Sequence, residues 1–231
     1  MAASDVAPQQ VERELSRLYA HRFPQNEREA KARLWRVICE AFLARYVPPG
    51  ATVLDVGAGY CDFINNITAR RRIAIDLNPD TPGYAAPGVE VHTLALERLT
   101  EAIAPQSVDL AFASNVFEHL RGPDALLRIL AALRGVLQPG GRLIVLQPNI
   151  RAVGTTFWDF VDHTLPLTDK GMTEALEISG FEVIERRPRF LPYTTKSRLP
   201  QWPVLVRLYL ALPPAQWLLG KQMFLVARTA R

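Results

Sequence analysis

The chain has 231 residues, of which 48% are hydrophobic, so a sizeable buried core is expected and disorder is not the default. Its two cysteines, Cys39 and Cys61, form neither a metal-ligand spacing nor the dense pattern of a disulfide-stapled secreted domain. The N-terminal residues lack the basic and apolar regions of a signal peptide, and nowhere do about 18 apolar residues run without a charge. We therefore expect a cytoplasmic protein without a membrane span.

The first 47 residues predict a helical segment. Helical spacing of apolar residues runs over residues 8–21 and again over residues 28–46. The apolar face of the second helix consists of Leu34, Ile38, Ala41 and Phe42. A Pro-Pro-Gly run at residues 48–50 ends this helix, so we expect an N-terminal helical segment, 1–47, followed by one domain, 48–231.

From residue 51 onwards, short β-branched runs alternate with helical stretches. The runs are ATVLDV, RRIAID, VEVHTL, VDLAFAS, RLIVLQ, FEVIER and KQMFLVAR. Several are apolar with little alternation, as expected for strands covered by helices on both faces of a mostly parallel sheet. The clearest helix covers residues 123–137, with Pro123 at its first position and Asp124 in its first turn. This alternation predicts an α/β fold.

The first of these strands runs into a glycine-containing turn, VLDVGAGYCDF, at residues 53–63. In a doubly wound sheet the ligand binds beyond the carboxyl ends of the strands, and Gly57 and Gly59 would let the backbone approach it. Asp76 closes the next strand, where a carboxylate can accept hydrogen bonds from ribose hydroxyls. A strand, a glycine turn, a helix, a strand and a terminal Asp predict a nucleoside-containing cofactor. The alternative is a glycine turn that only eases helix packing.

Two further carboxylates indicate which nucleoside is bound. The dinucleotide fingerprint requires a small residue where this chain has Asp62, and a carboxylate at a helix N-terminus would repel a pyrophosphate. NAD is therefore disfavoured. Asp55, two residues before Gly57, is suited to attract an ammonium or sulfonium group. S-adenosylmethionine, which has an adenosine end and a cationic amino-acid end, fits both observations.

With these motifs, the chain resembles the class I S-adenosylmethionine-dependent methyltransferases. The similarity covers roughly residues 48–188 and the last strand. VLDVGAGYCDF resembles the first motif, RRIAIDLNP the second, SVDLAFASNVFEHL the fourth-strand motif and LRGVLQPGGRLIVLQPN the fifth-strand segment. DHTLPLTDKGMTEALEISGFEV is similar to the last helix and sixth strand of the subgroup that methylates small molecules, quinones and sugars. The resemblance implies a Rossmann-like seven-stranded sheet of order 3-2-1-4-5-7-6, with the last strand antiparallel and helices on both faces.

The resemblance also implies a cofactor site. Asp55, Gly57 and Gly59 would border the methionine end, Asp76 would hold the ribose and Leu77 would pack beside the adenine. Tyr60 and Asn115 complete the predicted cofactor-binding set. Two positions depart from the family pattern: Cys61 replaces a third glycine, and Ala95 replaces an acidic residue after the third strand.

Methyl transfer to a hydroxyl requires in-line placement and a base, and histidine is the side chain suited to that task near neutral pH. Two candidates are predicted as general bases. His119 follows the fourth strand within Asn-Val-Phe-Glu-His, and His163 follows Asp162 within the aromatic stretch FWDFVDHTLPLT. Asp162 and Asp159 lie near His163 in sequence, and we expect a carboxylate to orient it; the alternative for each histidine is a purely structural role. The predicted substrate residues are Asn149, Trp158 and Asp162, and no metal site is predicted.

An apolar insertion is expected at about residues 188–220, between the last two strands. Residues 199–220 hold one charge, Arg207, and prolines limit any helix there to about ten residues, which is too short to span a bilayer. From Arg186 onwards lie nine of the 27 basic residues and none of the 23 acidic ones. Residues 186–221 could therefore contact an anionic membrane surface, cap the substrate pocket or form a homodimer contact.

These features predict O-methylation of a small-molecule or glycan hydroxyl, with a lipid-linked or surface glycan as a candidate acceptor. A quinone or another small molecule is the next candidate. Nucleic acid is not expected as a partner, because the fourth strand is not followed by an Asn-Pro-Pro-Tyr-like cluster. The alternatives are an inactive S-adenosylmethionine-binding partner module and, more distantly, an NAD-dependent oxidoreductase.

Overall fold

Seven strands form a single sheet in the computed structural model, which describes residues 25–193 and 202–230. The strands are β1 (Thr52–Val56), β2 (Arg71–Asp76), β3 (Val89–Thr93), β4 (Val108–Ser114), β5 (Leu137–Pro148), β6 (Phe181–Arg187) and β7 (Gln222–Thr229). Their order is β3-β2-β1-β4-β5-β7-β6. The pairs from β3 to β5 are parallel, whereas β7 runs antiparallel to both β5 and β6. The predicted sheet order and the antiparallel last strand are confirmed.

Helices cover both faces of this sheet. They are α1 (Gln25–Ala41), α2 (Leu99–Ala102), α3 (Pro123–Val136), α4 (Ile150–Val153), α5 (Asp169–Ile178), α6 (Pro203–Ala211) and α7 (Pro213–Leu219). Successive residues of a strand point to opposite faces, and all five residues of β1 are buried. Val53 belongs to the core cluster that includes α1 and α6, and Leu54 to the one that includes α2, α3 and α5. This two-sided burial explains why β1 has no polar alternation.

The helix expected directly after the glycine turn is absent, which corrects the sequence prediction. Between β1 and β2 the described backbone forms turns and a short 3₁₀ turn, Ile64–Asn66. Asparagine side chains there bind backbone groups and so compete with helix formation. The amide nitrogen of Asn66 donates to the Asp62 carbonyl at 2.8 Å, and that of Asn65 donates to the Tyr84 carbonyl at 2.8 Å.

The N-terminal segment is part of the hydrophobic core. Its described helix begins at Gln25, before the predicted start at residue 28, and ends at Ala41; a separate 3₁₀ turn covers Leu43–Tyr46. Side chains of α1 and the residue after it pack with those of β1, β4 and β7. The α1 side contributes Trp35, Ile38, Cys39 and Phe42. The helix predicted at residues 8–21 lies outside the described residues.

The apolar insertion contains the two short helices α6 and α7. Helix α6 packs against α1, and Arg207 forms an ion pair with Glu40 at 2.8 Å. The Tyr209 hydroxyl donates to the Phe190 carbonyl, and Leu210 is buried. The longest described helix, α1, has 17 residues, and among the described residues no helix is long and apolar enough to cross a membrane.

Candidate active site

The turn between β1 and β2 brings the backbone close to the loop that follows β4. Gly57 and Gly59 adopt φ angles of 68° and 51°, in the left-handed region that favours glycine. The amide groups of Gly57 and Ala58 both donate to the Ile75 carbonyl, at 2.8 and 3.1 Å. A Cβ atom added to Gly57 would lie 2.5 Å from Cγ2 of Val116. Glycine is therefore required at this position by both conformation and space.

Cys61, which departs from the family pattern, takes the backbone conformation of the glycine that it replaces. Its φ angle is 58°, and its amide donates to the Ala58 carbonyl at 2.8 Å. Burial is the main reason that the pKa of its thiol is raised to about 12, with nearby Asp55 adding to the shift. The thiol is therefore neutral and structural, and the turn keeps its shape without a third glycine.

Asp76, at the end of β2, connects the two strand ends. Its Oδ2 accepts the Gly59 amide at 2.6 Å and its Oδ1 accepts the Asn78 amide at 2.7 Å. Burial raises the pKa of Asp76, while these backbone hydrogen bonds act in the opposite direction. Each carboxylate oxygen keeps a lone pair that can accept a hydroxyl proton. These two acceptor positions suit the two hydroxyls of a ribose, which is the role that the resemblance implies for Asp76.

Asp55 is buried near the end of β1, and its carboxylate accepts few hydrogen bonds from the described residues. Its Oδ2 accepts one long hydrogen bond, 3.3 Å, from the Ile64 amide. Burial is the main reason that the pKa of Asp55 is raised to about 8; Asp76 and Asp62 add to the shift, and the Ile64 hydrogen bond and Lys31 oppose it. A cationic ligand beside this carboxyl would stabilise its ionised form. The site therefore fits a cofactor that carries an ammonium and a sulfonium group.

Helix α1 contributes two cations to the glycine turn, which the sequence analysis missed. Lys31 Nζ lies 3.0 Å from Asp62 Oδ2 and 5.4 Å from the centre of the Tyr60 ring. Arg28 lies over both the Tyr60 and Tyr84 rings and donates to the Tyr84 hydroxyl at 3.1 Å. Lys31 and Arg28 lie far in sequence from Asp62 and Tyr84, so no local sequence pattern indicates these contacts. The repulsion of phosphate expected from Asp62 is offset by Lys31, so Asp62 alone does not exclude NAD.

The remaining predicted cofactor residues lie at the same edge of the sheet. Leu77 directly follows β2 and is 37% exposed, so its side chain is available to a ligand. Asn115 directly follows β4 with a φ angle of 51°, and its amide donates to the Leu146 carbonyl at 2.9 Å. Next to it, at the end of β5, Gln147 has a buried carbonyl oxygen with no hydrogen-bond partner among the described residues. Gln147 is a further candidate ligand contact that the sequence analysis did not select.

The two candidate bases form one cluster. His119 ends the 3₁₀ turn Phe117–His119, three residues after the Val116 that faces Gly57. The centres of the His119 and His163 rings are 5.0 Å apart. The Glu118 carbonyl accepts the amides of Thr164 and Leu165, at 2.8 and 3.0 Å, which holds the loop after β5 against this turn.

Asp162 contacts His119, and the orientation of His163 by a nearby carboxylate stays a prediction. His119 Nδ1 lies 3.1 Å from the Asp162 carbonyl and 3.2 Å from its Oδ2. His163 packs against the rings of Phe157 and Phe160, with centroids 4.8 Å away in both cases. Its Nδ1 lies 3.3 Å from the Tyr193 hydroxyl. His163 therefore has a phenol hydroxyl beside its Nδ1.

Asn149 and Trp158, the other predicted substrate residues, differ in their surroundings. The Asn149 side chain is buried; it donates to Asp169 at 3.1 Å and to the Pro188 carbonyl at 2.9 Å, and accepts the Arg151 amide at 3.2 Å. It caps α4 and connects it to α5 and to the residue after β6, so the geometry gives it a structural role instead of a substrate contact. Trp158 is 58% exposed and packs edge-on against Phe157.

One group of side chains in the described part of the chain is arranged closely enough to hold a metal ion. Glu118, His119 and His163 each offer one ligand atom, and these atoms lie within 4.8 Å of one another. Two imidazoles and a carboxylate are ligands that divalent transition metals accept. The sequence analysis predicted no metal, and this stays a prediction.

Comparison with known proteins finds a methyltransferase domain in part of the chain. Residues 54–145 match the family model described as "Methyltransferase domain". The "Probable methyltransferase ltbC" of Aspergillus luteorubrus is 27% identical over 119 residues, which cover 45% of this chain. The chain spans 42% of the length of that relative.

Solved structures share the fold. The S-adenosylmethionine-dependent methyltransferase of Archaeoglobus fulgidus is 18% identical and has a TM-score of 0.62, over 92% of this chain and 98% of its own. That of Mesorhizobium loti is 16% identical and has a TM-score of 0.59, over 83% of this chain and 97% of its own. The strand order of the sheet and the match of residues 54–145 both agree with a methyltransferase fold. The carboxylates at the ends of β1 and β2 lie at the sheet edge where such a fold binds its ligand. Residues 54–145 therefore match a methyltransferase domain, and the chain has the fold of solved S-adenosylmethionine-dependent methyltransferases.

Proposed function

We propose that the chain methylates a hydroxyl group of a small-molecule or glycan acceptor. The observation that carries this proposal is the cluster of His119, His163 and Asp162. Within it, His119 lies three residues after Val116, the residue that faces Gly57 of the glycine turn. A hydroxyl has to lose its proton as it is methylated, and a histidine held by a carboxylate is suited to accept it.

The cofactor supplies an activated methyl group when it is bound. Asp55 and the glycine turn would face its cationic end, and Asp76 would accept hydrogen bonds from its ribose. S-adenosylmethionine would supply the methyl carbon to the acceptor oxygen, and its sulfur would retain the electron pair of the broken carbon–sulfur bond. The hydroxyl proton passes to a ring nitrogen of His119 or His163. Asp162 stabilises the His119 imidazolium, because its carboxylate lies 3.2 Å from Nδ1.

Aromatic side chains around His163 support an acceptor with a flat or apolar face. Phe157, Phe160 and Tyr193 surround the imidazole, and exposed Trp158 packs on the outer side of Phe157. Sugar rings and quinone rings both stack on such side chains, in keeping with the small-molecule and sugar acceptors to which the sequence points. A lipid-linked glycan is the acceptor class we would test first.

The experiment measures transfer of a labelled methyl group to a glycan-lipid extract and, separately, to a quinol. We expect His163→Ala or His119→Ala to lower turnover by about 10²–10⁴-fold, because each removes a proton acceptor. Asp162→Asn should lower turnover while leaving S-adenosylhomocysteine affinity unchanged. His92→Ala is the matched control, since His92 lies on β3 and pairs with Glu90 at 2.7 Å, away from the cluster.

Three outcomes would contradict parts of the proposal. Binding of S-adenosylhomocysteine without methyl transfer to either acceptor would favour a cofactor-binding partner module. Full turnover in both histidine variants would remove the base assignment. Loss of turnover after treatment of the wild-type chain with a chelator, restored by a divalent metal, would assign the cluster to a metal instead.

A further inference from the structure

The outer face of the two insertion helices is apolar and exposed. On α6 and at its C-terminal end, Val204, Leu205, Leu208 and Leu212 follow helical spacing and share the side opposite to buried Leu210. On α7, Trp217 is 73% exposed, and Leu218 and Leu219 are exposed beside it. With Trp202, which precedes α6 and is 69% exposed, these eight side chains form what we call the insertion face.

This face has no covering element among residues 25–193 and 202–230, although its helices are already anchored by their other side. Val206, Tyr209 and Leu210 pack toward α1 and the core, and Gln216 of α7 donates to the Leu210 carbonyl at 2.8 Å. A helix that is apolar on both sides is expected to have an apolar partner on each side. An exposed apolar patch of this kind marks an interaction surface.

Positive charge lies at the border of the insertion face. Arg187 donates to Gln216 at 3.2 Å, and Arg189 donates to the Trp217 carbonyl at 3.2 Å with its guanidinium 5.9 Å from the Trp217 ring. Arg187 and Arg207 are paired with Glu185 and Glu40. In the described part of the chain, Arg189 and Lys221 form no ion pair. The sequence adds no carboxylate from Arg186 onwards, so the charge at this border is positive.

We infer that the insertion face binds the surface of an anionic lipid bilayer. Helices of nine and seven residues are about 14 and 10 Å long, so they lie along an interface and do not cross it. Trp202 and Trp217 suit the headgroup level, and the exposed leucines suit the acyl region. A second copy of the chain would instead bring the same positive border against this one, which repels it. The inference is independent of methyl transfer, because it concerns a surface outside the active site.

Sedimentation of the full chain with vesicles tests the inference. At about 0.1 M salt, the chain should bind vesicles with about 30% phosphatidylglycerol at least tenfold more strongly than pure phosphatidylcholine vesicles. Lys221→Gln should weaken binding about fivefold, since one cation near an anionic surface contributes about that factor. Leu208→Gln combined with Trp217→Gln should weaken it at least tenfold, because both apolar contacts are lost.

A matched pair of substitutions controls for the loss of exposed apolar side chains in general. Ile178→Gln combined with Ile184→Gln removes two aliphatic side chains that are 69% and 44% exposed but lie outside α6 and α7. This control should bind vesicles like the wild type. The same variants are run in light scattering. The inference is overturned if vesicle binding is absent or indifferent to anionic lipid, if control and test variants behave alike, or if a wild-type dimer dissociates in the Leu208 and Trp217 variant without a change in lipid binding.

Discussion

Substitution of Gly57 by alanine tests whether the contact between the glycine turn and the loop after β4 is as tight as the structure indicates. Gly57 has a φ angle of 68°, and the new Cβ would lie 2.5 Å from Val116 Cγ2 and 2.9 Å from Val116 Cβ. A left-handed conformation costs a non-glycine residue about 1–2 kcal/mol. The overpacking adds about 1–3 kcal/mol. We therefore expect Gly57→Ala to lower the free energy of unfolding by about 2–5 kcal/mol.

Gly50→Ala separates the two contributions. Gly50 has a φ angle of 70°, nearly the same as Gly57, but no heavy atom lies within 4 Å of its added Cβ. Its substitution should cost only the conformational part, about 1–2 kcal/mol. Both free energies are measured by urea unfolding monitored by far-ultraviolet circular dichroism. The double variant Gly57→Ala/Val116→Ala should recover part of the loss, because it removes the atom at 2.5 Å but keeps the Cβ at 2.9 Å.

Two results would refute this reasoning. Equal destabilisation by Gly57→Ala and Gly50→Ala would mean that the turn moves away from Val116 at no cost. Absence of any recovery in the double variant would mean that Val116 is not the obstacle. Turnover supplies an independent readout, since His119 lies three residues after Val116 and should be displaced in Gly57→Ala but not in Gly50→Ala.

Four further predictions concern the cofactor crevice. Because Asp55 has a pKa of about 8, S-adenosylmethionine affinity measured by calorimetry should rise up to about tenfold per pH unit from pH 6 to pH 8 and then level off, whereas Asp55→Asn should abolish the rise. The pKa of Asp55 is raised on folding, so its ionisation destabilises the ligand-free chain as pH rises from about 4 to about 8. Asp55→Asn should therefore raise the melting temperature at pH 8. An unchanged melting temperature would contradict the burial of Asp55. Asp76→Ala removes the acceptor of two backbone amides and should weaken adenosine binding by at least tenfold; equal binding would show that Asp76 does not face the ribose. Lys31→Ala removes the cation that pairs with Asp62 and opposes the rise in the pKa of Asp55, so it should weaken S-adenosylmethionine binding several-fold at pH 7. Arg33→Ala removes an exposed cation on the same helix and is the unaffected control.

The sheet was predictable because each strand carries its own signal. RRIAID and VDLAFAS match β2 and β4 residue for residue, since β-branched and apolar runs bounded by polar residues can form little else when both faces are buried. The ends of β1 and β2 bring Asp55 and Asp76 to one edge by topology alone, so the carboxylate pair followed from the strand order.

Contacts between distant loops were not predictable in the same way. The helix expected after Gly59 was wrong because the side chains of Asn65 and Asn66 bind backbone groups, one of them on Tyr84, 19 positions away. Asp162 contacts His119, 43 positions earlier, and no local sequence pattern indicates this contact. It arises because the loop after β5 packs onto the 3₁₀ turn Phe117–His119.

The position of α1 has a practical consequence for anyone who trims the chain. A fragment that starts at residue 48 keeps every strand of the sheet but loses Trp35, Ile38 and Phe42, whose burial contributes about 1.5–3 kcal/mol each against a typical total stability of about 5–15 kcal/mol. The same cut removes Lys31, which pairs with Asp62 and opposes the rise in the pKa of Asp55. Such a fragment would be expected to aggregate, and any loss of cofactor affinity in it would report on the missing helix instead of on the glycine turn.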